Sequence, residues 1–332
     1  MSSTPSQHLA PDAQDLAKAR AAPASRKNKP PKRLAPPDPD PLRGASAAAT
    51  IGRVALFILL VILAMTFVVP FLFQVLASLA TTQDVDLLTQ TYYPPETPTR
   101  EISLLGLNIP LPDNYVAVFE QVPFAKYYFN SLFVAGWATL LQVITCSMAA
   151  YAFARLHWPG RDKVFLLYLG TLMVPAVVLM VPNFIIILEL GMFDTYWGLI
   201  IPAAFSAYGT FLLRQFMLTI PSSLDEAASI DGAGHWRIFT QIILPLTRPG
   251  LIVLAIFAYL FNYASFFWPL IITKSENLRV LPIGLLQFDT TYGQETPKIM
   301  AASLLSMLVP VILFLLLQKY LVRGIQLGAV KG

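Results

Sequence analysis

The stretch VALFILLVILAMTFVVPFLFQVLASLA, Val54 to Ala80, decides the fold class. It holds no charged side chain, and about 20 apolar residues suffice for a helix to cross the hydrocarbon core of a bilayer. Pro70 lies near its far end. Five further runs share its character: Ser131–Phe153, Val164–Leu188, Tyr196–Leu213, Leu251–Ile272 and Ile299–Gln318. The third carries Pro175 and Pro182, so it is expected to kink, or to end near Pro182 and continue as a short interfacial helix. Composition agrees. The chain is 56% hydrophobic and 13% charged, whereas a soluble domain carries about 25% charged residues. The expectation is an all-α integral membrane protein with six transmembrane helices, a membrane domain over 51–332, a first span at about 54–80 and a core at about 130–320.

Residues 1–50 read differently. They are rich in Pro, Ala, Ser and Lys/Arg, and such a segment cannot bury enough apolar area to offset its ordering entropy. We read it as a disordered basic tail. A cleavable signal peptide would be shorter, with its apolar region near the start. Asp12, Asp15, Asp38 and Asp40 count against a transit peptide. The flanking charges orient the spans. Eighteen Lys and Arg fall in the tail, the 154–163 and 214–250 loops and the C-terminal tail, against five in the loops between. The positive-inside rule places both termini in the cytoplasm.

Several function classes recede. The lone Cys146 and the scattered His8, His157 and His235 offer no disulfide or metal cluster. No G-x-x-x-x-G-K-[ST] loop is present to cradle a nucleotide phosphate; Gly232-Ala233-Gly234 reads as a turn. No Ser/His/Asp or Cys/His grouping suggests covalent catalysis. No catalytic residue, metal, cofactor or nucleic-acid partner is expected. None of the six spans contains Asp, Glu, Lys, Arg or His, and intramembrane charges are kept mainly where ions or protons are handled. That argues against a proton- or sodium-coupled carrier, as does the lack of an internal repeat.

The segment Arg214 to Pro249 is the most informative loop. Pro221 stops the incoming helix. Ser223 and Glu226 have capping-box spacing, and Asp225 and Glu226 suit a positive helix start. Ala227, Ala228 and Ile230 give a short helix with a small-residue surface, which Gly232 ends in the left-handed conformation. A second helical stretch, His235 to Ile243, is expected to end before Pro245. This is a helix-turn-helix at the membrane surface, too amphipathic to be a mere linker.

Glu226-Ala227-Ala228-x-x-Asp231-Gly232-Ala233, followed by Ile242-x-Leu244-Pro245, resembles the EAA loop of ABC-importer permeases. Asn130-Ser131-Leu132, Ala149-Ala150-Tyr151-Ala152-Phe153-Ala154-Arg155 and Pro159-Gly160-Arg161 resemble the maltose-type sugar permeases. So do Asp194-Thr195-Tyr196-Trp197, Phe211 to Phe216, Ser275 to Gly284, and Val322-Arg323-Gly324 through Gly332. The resemblance covers about residues 110–332 and is strongest to the smaller, G-component-like subunit. It implies a permease domain whose loop is a cytoplasmic coupling helix seated in an ATPase subunit. Glu226, Ala227, Ala228, Asp231, Gly232, Ile242, Leu244 and Pro245 would form that contact. Glu226 either pairs with a basic residue of the ATPase or serves its own cap.

The implied assembly holds an ABC ATPase dimer, a second permease subunit and an extracytoplasmic solute-binding protein, in membrane lipid of a bacterial inner membrane. The 274–298 loop would face the binding protein, and the C-terminal tail would approach the ATPases. The implied cargo is a carbohydrate, with glycerol phosphate or another polyol as rivals; a secondary carrier and a non-transporting scaffold are the other classes. Asn262, Tyr263, Ser265, Phe266 and Trp268 are candidates for the substrate path, since aromatic faces and hydroxyl partners suit a sugar. Relatives often carry Trp-Asn-Asp-Phe where this chain has Tyr263-Ala264-Ser265-Phe266. The competing reading is that these aromatics pack between helices or sit at the interface. Asn130 and Trp197 read as structural or interfacial.

Overall fold

A computed structural model describes residues 47–81, 83–85, 97–104, 107–290 and 295–329. The expected tail thus lies, as far as residue 46, outside the described residues, as do 291–294 of the 274–298 loop and 330–332. By internal contacts the chain divides into residues 1–63 and 64–332. The described part of the first unit is the leading half of helix α1 (Ala47–Leu79), in which residues 50–63 are all exposed. From Val54 onward this is a charge-free run of exposed Leu, Ile and Phe, which is what a lipid-facing helix presents.

The second unit is helical apart from one hairpin. Strands β1 (Thr99–Leu104) and β2 (Leu107–Pro112) pair antiparallel, from Thr99 opposite Pro112 to Leu104 opposite Leu107. The all-α expectation is corrected to that extent. Pro110 and Pro112 are tolerated because β2 has no second neighbour to demand their missing N–H groups. Helix α2 (Asp113–Gln121) follows, then α3 (Phe124–Ala154). Next come α4 (Arg161–Gly170) with a 3-10 turn at Thr171–Met173, and α5 (Ala176–Glu189). Helices α6 (Tyr196–Ile200) and α7 (Ala207–Leu218) precede α8 (Ser223–Ile230) and α9 (His235–Ile238). The chain ends with α10 (Arg248–Tyr263), α11 (Phe267–Ile272), α12 (Leu281–Thr290) and α13 (Thr296–Ala329).

Among the described residues three stretches are long and apolar enough to cross a bilayer alone: Thr50–Leu79, Phe124–Ala154 and Thr296–Gln318. Three more pass only as bent pairs. They are 161–173 with 176–189 (101°), 196–204 with 207–218 (42°) and 235–246 with 248–263 (77°). The third run kinks, as one of its two expected readings had it, with the 101° bend at Val174-Pro175. The other reading, an end near Pro182, is corrected, since Pro182 lies inside α5. Val174 is extended (φ −83°, ψ 120°), as the steric demand of a following proline requires, and the break comes just after Gly170 and the 3-10 turn. The fifth run is corrected as well: it does not reach Ile272 as one helix. It stops at Tyr263, and α11 restarts with Pro269 in its first turn, where the absent N–H has no intrahelical acceptor to lose.

Helix α3 organises the packing. Its outer third, with Tyr127 and Ala135, meets Val118 of α2, Phe288 of α12 and Ala301 of α13. Its middle, with Val134 and Ala138, meets Ile187 of α5, Leu199 of α6 and Ile272 of α11. Its inner end, with Cys146, Ala150 and Tyr151, meets Leu213 of α7 and Leu254 of α10. All three large buried clusters therefore share this one unbroken helix.

Candidate functional site

The loop between α7 and α10 folds as a knuckle. Ser222 stands at the N-cap of α8 with helical dihedrals and makes no side-chain cap bond. The expected capping box is therefore absent. Ser223 already lies inside the helix, so its hydroxyl is past the position from which a cap is made. Instead, the Asp225 and Glu226 amides donate to the Ser222 carbonyl at 2.9 and 3.1 Å. The Glu226 carboxylate is left exposed, without a partner among the described residues.

The other end is closed by backbone geometry. Gly232 has φ +80°, a conformation in which any Cβ is strained. Its amide donates to the Ser229 carbonyl at 3.1 Å, and the Ala233 amide to the Ala228 carbonyl at 2.9 Å. That pair of bonds is a Schellman closure. The chain then turns into α9, a π-turn at Phe239–Ile243 and one further helical turn at Leu244–Leu246. The second stretch thus continues through Pro245 rather than ending before it. In the π-turn the Leu244 amide reaches back to the Phe239 carbonyl. The wider turn relieves the clash a proline ring makes with the preceding helical turn.

The eight residues named for the coupling contact separate into two layers. Glu226, Ala227, Asp231 and Gly232 are exposed, together with Ile230 at 87% and Trp236 at 66% exposure. Ala228, Ile242 and Leu244 pack partly buried against the inner cluster, and Pro245 is half-buried beside them. The first layer is a rim that a second protein can reach, and the second is its foundation. Tyr151 of α3 stacks near Phe239 at 5.1 Å and donates its hydroxyl to the His235 carbonyl at 3.2 Å.

Two arginines anchor the knuckle and its approach helix. Arg155, at the inner end of α3, is 8% exposed and pairs with Asp225 at 3.1 Å. Its Nη2 also donates to the Met217 and Ile220 carbonyls, each at 2.7 Å. Arg214 of α7 donates to the Phe153 carbonyl at 3.1 Å and lies 4.2 Å over the Phe165 ring. Sequence reading missed the role of Arg155, which it used only in a motif and in the charge count. The available signal was an arginine just after the charge-free run Ser131–Phe153.

The substrate-path candidates are not gathered on one helix face. Tyr263 belongs to the outer cluster and donates to the Ser306 carbonyl at 3.0 Å. Phe266 and Trp268 pack against the middle cluster, and the Trp268 indole donates to the Gly198 carbonyl at 3.0 Å. Asn262 near the end of α10 and Ser265 within the helix break are half-buried, and among the described residues Asn262 Nδ2 is a buried donor with no partner. Two of the four polar handles, those of Tyr263 and Trp268, are thus already engaged in helix packing.

At the far end of α3 a second set of polar clamps holds residues 274–281. Asn130 donates to the Asn277 and Arg279 carbonyls at 2.9 and 2.8 Å and accepts from Tyr196 at 2.7 Å. Ser131 accepts from the Leu281 amide at 2.7 Å. Asp194 has φ 56° and accepts from the Lys274 and Ser275 amides, each at 2.9 Å, and from the Ser275 hydroxyl. Burial pushes its carboxyl pKa up, but the Ser275 and Lys274 hydrogen bonds and the Lys274 charge outweigh it and hold it below the ordinary value. Among the described residues no group of three or more His, Cys, Asp or Glu stands close enough to hold a metal ion.

Residues 142–327 match the family model described as binding-protein-dependent transport system inner membrane component. The arabinooligosaccharides transport system permease protein AraQ of Bacillus subtilis is 34% identical over 242 residues, 71% of this chain and 86% of that one. Its counterpart from Halalkalibacterium halodurans is 36% identical over 221 residues, 66% and 79% of the two chains. The sn-glycerol-3-phosphate transport system permease protein UgpE of Yersinia enterocolitica is 38% identical over 62% of this chain and 74% of its own. Among solved structures, a bacterial ABC transporter that imports the acidic polysaccharide alginate superposes with TM-score 0.70 at 23% identity. The match covers 83% of this chain and 98% of the other, a likeness of fold.

Proposed function

Because the chain belongs to the family of binding-protein-dependent transport system inner membrane components, we propose that it is the permease subunit that passes a carbohydrate inward when a separate ATPase pushes on its knuckle. The observation that carries this reading is the two-layered loop, in which an exposed rim of Glu226, Ala227, Asp231 and Gly232 stands on a foundation packed against α3 and α7. A rim of small residues admits close approach, and a packed foundation turns a push into movement of the helices beneath. Closure of an ATP-bound dimer would then shift the helices between two arrangements. The knuckle is the cytoplasmic coupling helix-turn-helix in this reading, and ATP hydrolysis belongs to the partner.

The same reading assigns six spans, three continuous and three bent, within a permease domain at 51–332. Both termini are cytoplasmic, and residues 1–50 are a basic tail on that side. The excess of Lys and Arg on the tail and knuckle side supports the orientation. A second permease completes the pathway, and a solute-binding protein docks on the 274–298 side. Relatives named for arabinooligosaccharides support an oligosaccharide cargo. The six apolar runs of the sequence hold no cation for a phosphate group, which favours the sugar over glycerol phosphate. The glycerol-phosphate relatives keep that second reading open to test.

The test uses the assembled transporter in proteoliposomes with labelled arabinooligosaccharide or glycerol phosphate outside and ATP inside. Uptake of the sugar that requires the ATPase and ATP, and that survives collapse of the proton gradient, is expected. Ala227→Trp, on the exposed side of α8, should abolish both ATPase co-purification and uptake. Wild-type behaviour of that variant in both assays overturns the coupling contact.

A further inference from the structure

Beside the Tyr151 contacts with His235 and Phe239, the C-terminal end of α3 carries one charged link to the knuckle. The guanidinium of Arg155 ties α3 to both α7 and α8. Its Nη1 faces Asp225 in the first turn of α8 at 3.1 Å, and its Nη2 donates at 2.7 Å to the Met217 carbonyl in the last turn of α7 and to the Ile220 carbonyl just beyond that helix. The position is screened from water, with the arginine side chain 8% exposed and the aspartate 23%. The surroundings are apolar, formed by Ala154, Met217 and Ile238. Among the described residues Arg155 Nε and Asp225 Oδ1 are buried without partners of their own, and Arg155 is the side chain that meets the Asp225 carboxylate.

The fork geometry matters. A guanidinium can hold a carboxylate and two carbonyls in fixed directions, whereas an ammonium offers a point charge without that planar fork. Cation and carbonyls also sit where the α7 dipole favours positive charge, and Asp225 sits where the α8 dipole favours negative charge. The arrangement fixes the angle between α8, α7 and α3. Remove it, and α8 is held mainly by Ala228 and Ala233, which are small, on its edge of the cluster.

We propose that Arg155 is the positioning residue that delivers movement of α8 to α3, and that its ion pair with Asp225 sets how much solute moves per ATP hydrolysed. This rests on the reading of α8 as the ATPase contact. Asp225 faces the membrane domain, while Glu226, Ala227 and Gly232 form the outward rim. Docking and delivery are therefore separate tasks of adjacent residues.

The experiment measures labelled-sugar uptake and ATP hydrolysis in the same proteoliposomes, for the full transporter carrying Asp225→Asn, Arg155→Lys or both. The ratio of uptake to hydrolysis does not depend on how much complex folds, so a loss of assembly alone does not move it. The expected result is a drop of about tenfold in that ratio for Asp225→Asn, the scale of coupling that packed networks carry. Arg155→Lys should give a comparable drop, and the double variant should be no worse than the poorer single one, because both remove the same contact. An unchanged ratio in Asp225→Asn, or losses that multiply in the double variant, overturns the inference. Absence of ATP-driven uptake in the wild-type complex overturns the functional reading instead, so the two failures are told apart.

Discussion

Asp194 sits at a left-handed backbone position with φ 56° and clamps the start of the 274–281 segment with its carboxylate. Its pKa is lowered in the folded chain. A depressed carboxyl stabilises the fold fully above its unfolded pKa, about 3.9, and loses that contribution as pH falls through the folded value. Asn shares the tolerance of Asp for this backbone region, so Asp194→Asn isolates the charge. The variant should melt below the wild type at pH 6 in detergent, and the gap should narrow progressively as pH falls below the unfolded value of about 3.9. A gap that persists in acid would mean the charge does not hold the clamp. Sequence alone singled out Asp194-Thr195-Tyr196-Trp197 as a motif but gave no task to its carboxylate, because the amides it meets lie 80 and 81 residues away. Arg155 was hidden in the same way. The exposed rim at Glu226 to Gly232 was legible, because turn chemistry is local. The cap register was not, since S-x-x-E spacing cannot tell whether the first serine stands before the helix or inside it.

Helices meet in this molecule through absent side chains as much as through present ones. A Cβ placed on Gly284 of α12 would come within 2.3 Å of the Tyr127 ring, and that ring is fully buried. The ring cannot swing away, so Gly284→Ala should destabilise the protein by about 1–3 kcal/mol, the usual scale for overpacking. Gly136→Ala, on α3 with nothing within 4 Å of the new carbon, is the control. It should be neutral or slightly stabilising, since alanine is the better helix former. Thermal unfolding of the two variants side by side decides the point. The apolar runs at Val54–Ala80, Ser131–Phe153 and Ile299–Gln318 were readable as single apolar stretches, and the helices continue through Pro70 and Pro310 in the first and last of them. The bent runs were readable as apolar but not as broken. Pro175 and Pro182 look alike in sequence, and only Pro175 becomes a joint. The substrate-path candidates were read within one continuous fifth span, and they straddle the break where α10 ends and α11 begins.

For the whole molecule, the orientation argument makes a direct prediction. Cys146 is the only cysteine and is buried, so the natural background for thiol labelling is low. Lys274→Cys should react with a membrane-impermeant maleimide added to intact cells. Ser229→Cys, on exposed α8, should react only after the membrane is opened. The reverse pattern would invert every statement about sides. The membrane class, the number of apolar runs and the charge asymmetry were all legible in composition and order. The β1/β2 hairpin was not, because its short alternating strands lie between far stronger helical signals.

Helix α3 has 31 residues without a break, which at 1.5 Å per residue is about 46 Å. It grips the 274–281 segment through Asn130 and Ser131 at one end and the knuckle through Tyr151 and Arg155 at the other. Its bent neighbours contain joints that can absorb displacement. This helix has none; under the coupling proposed above it would serve as a push-rod, carrying a shove from one tip to the other while the hinged segments beside it bend.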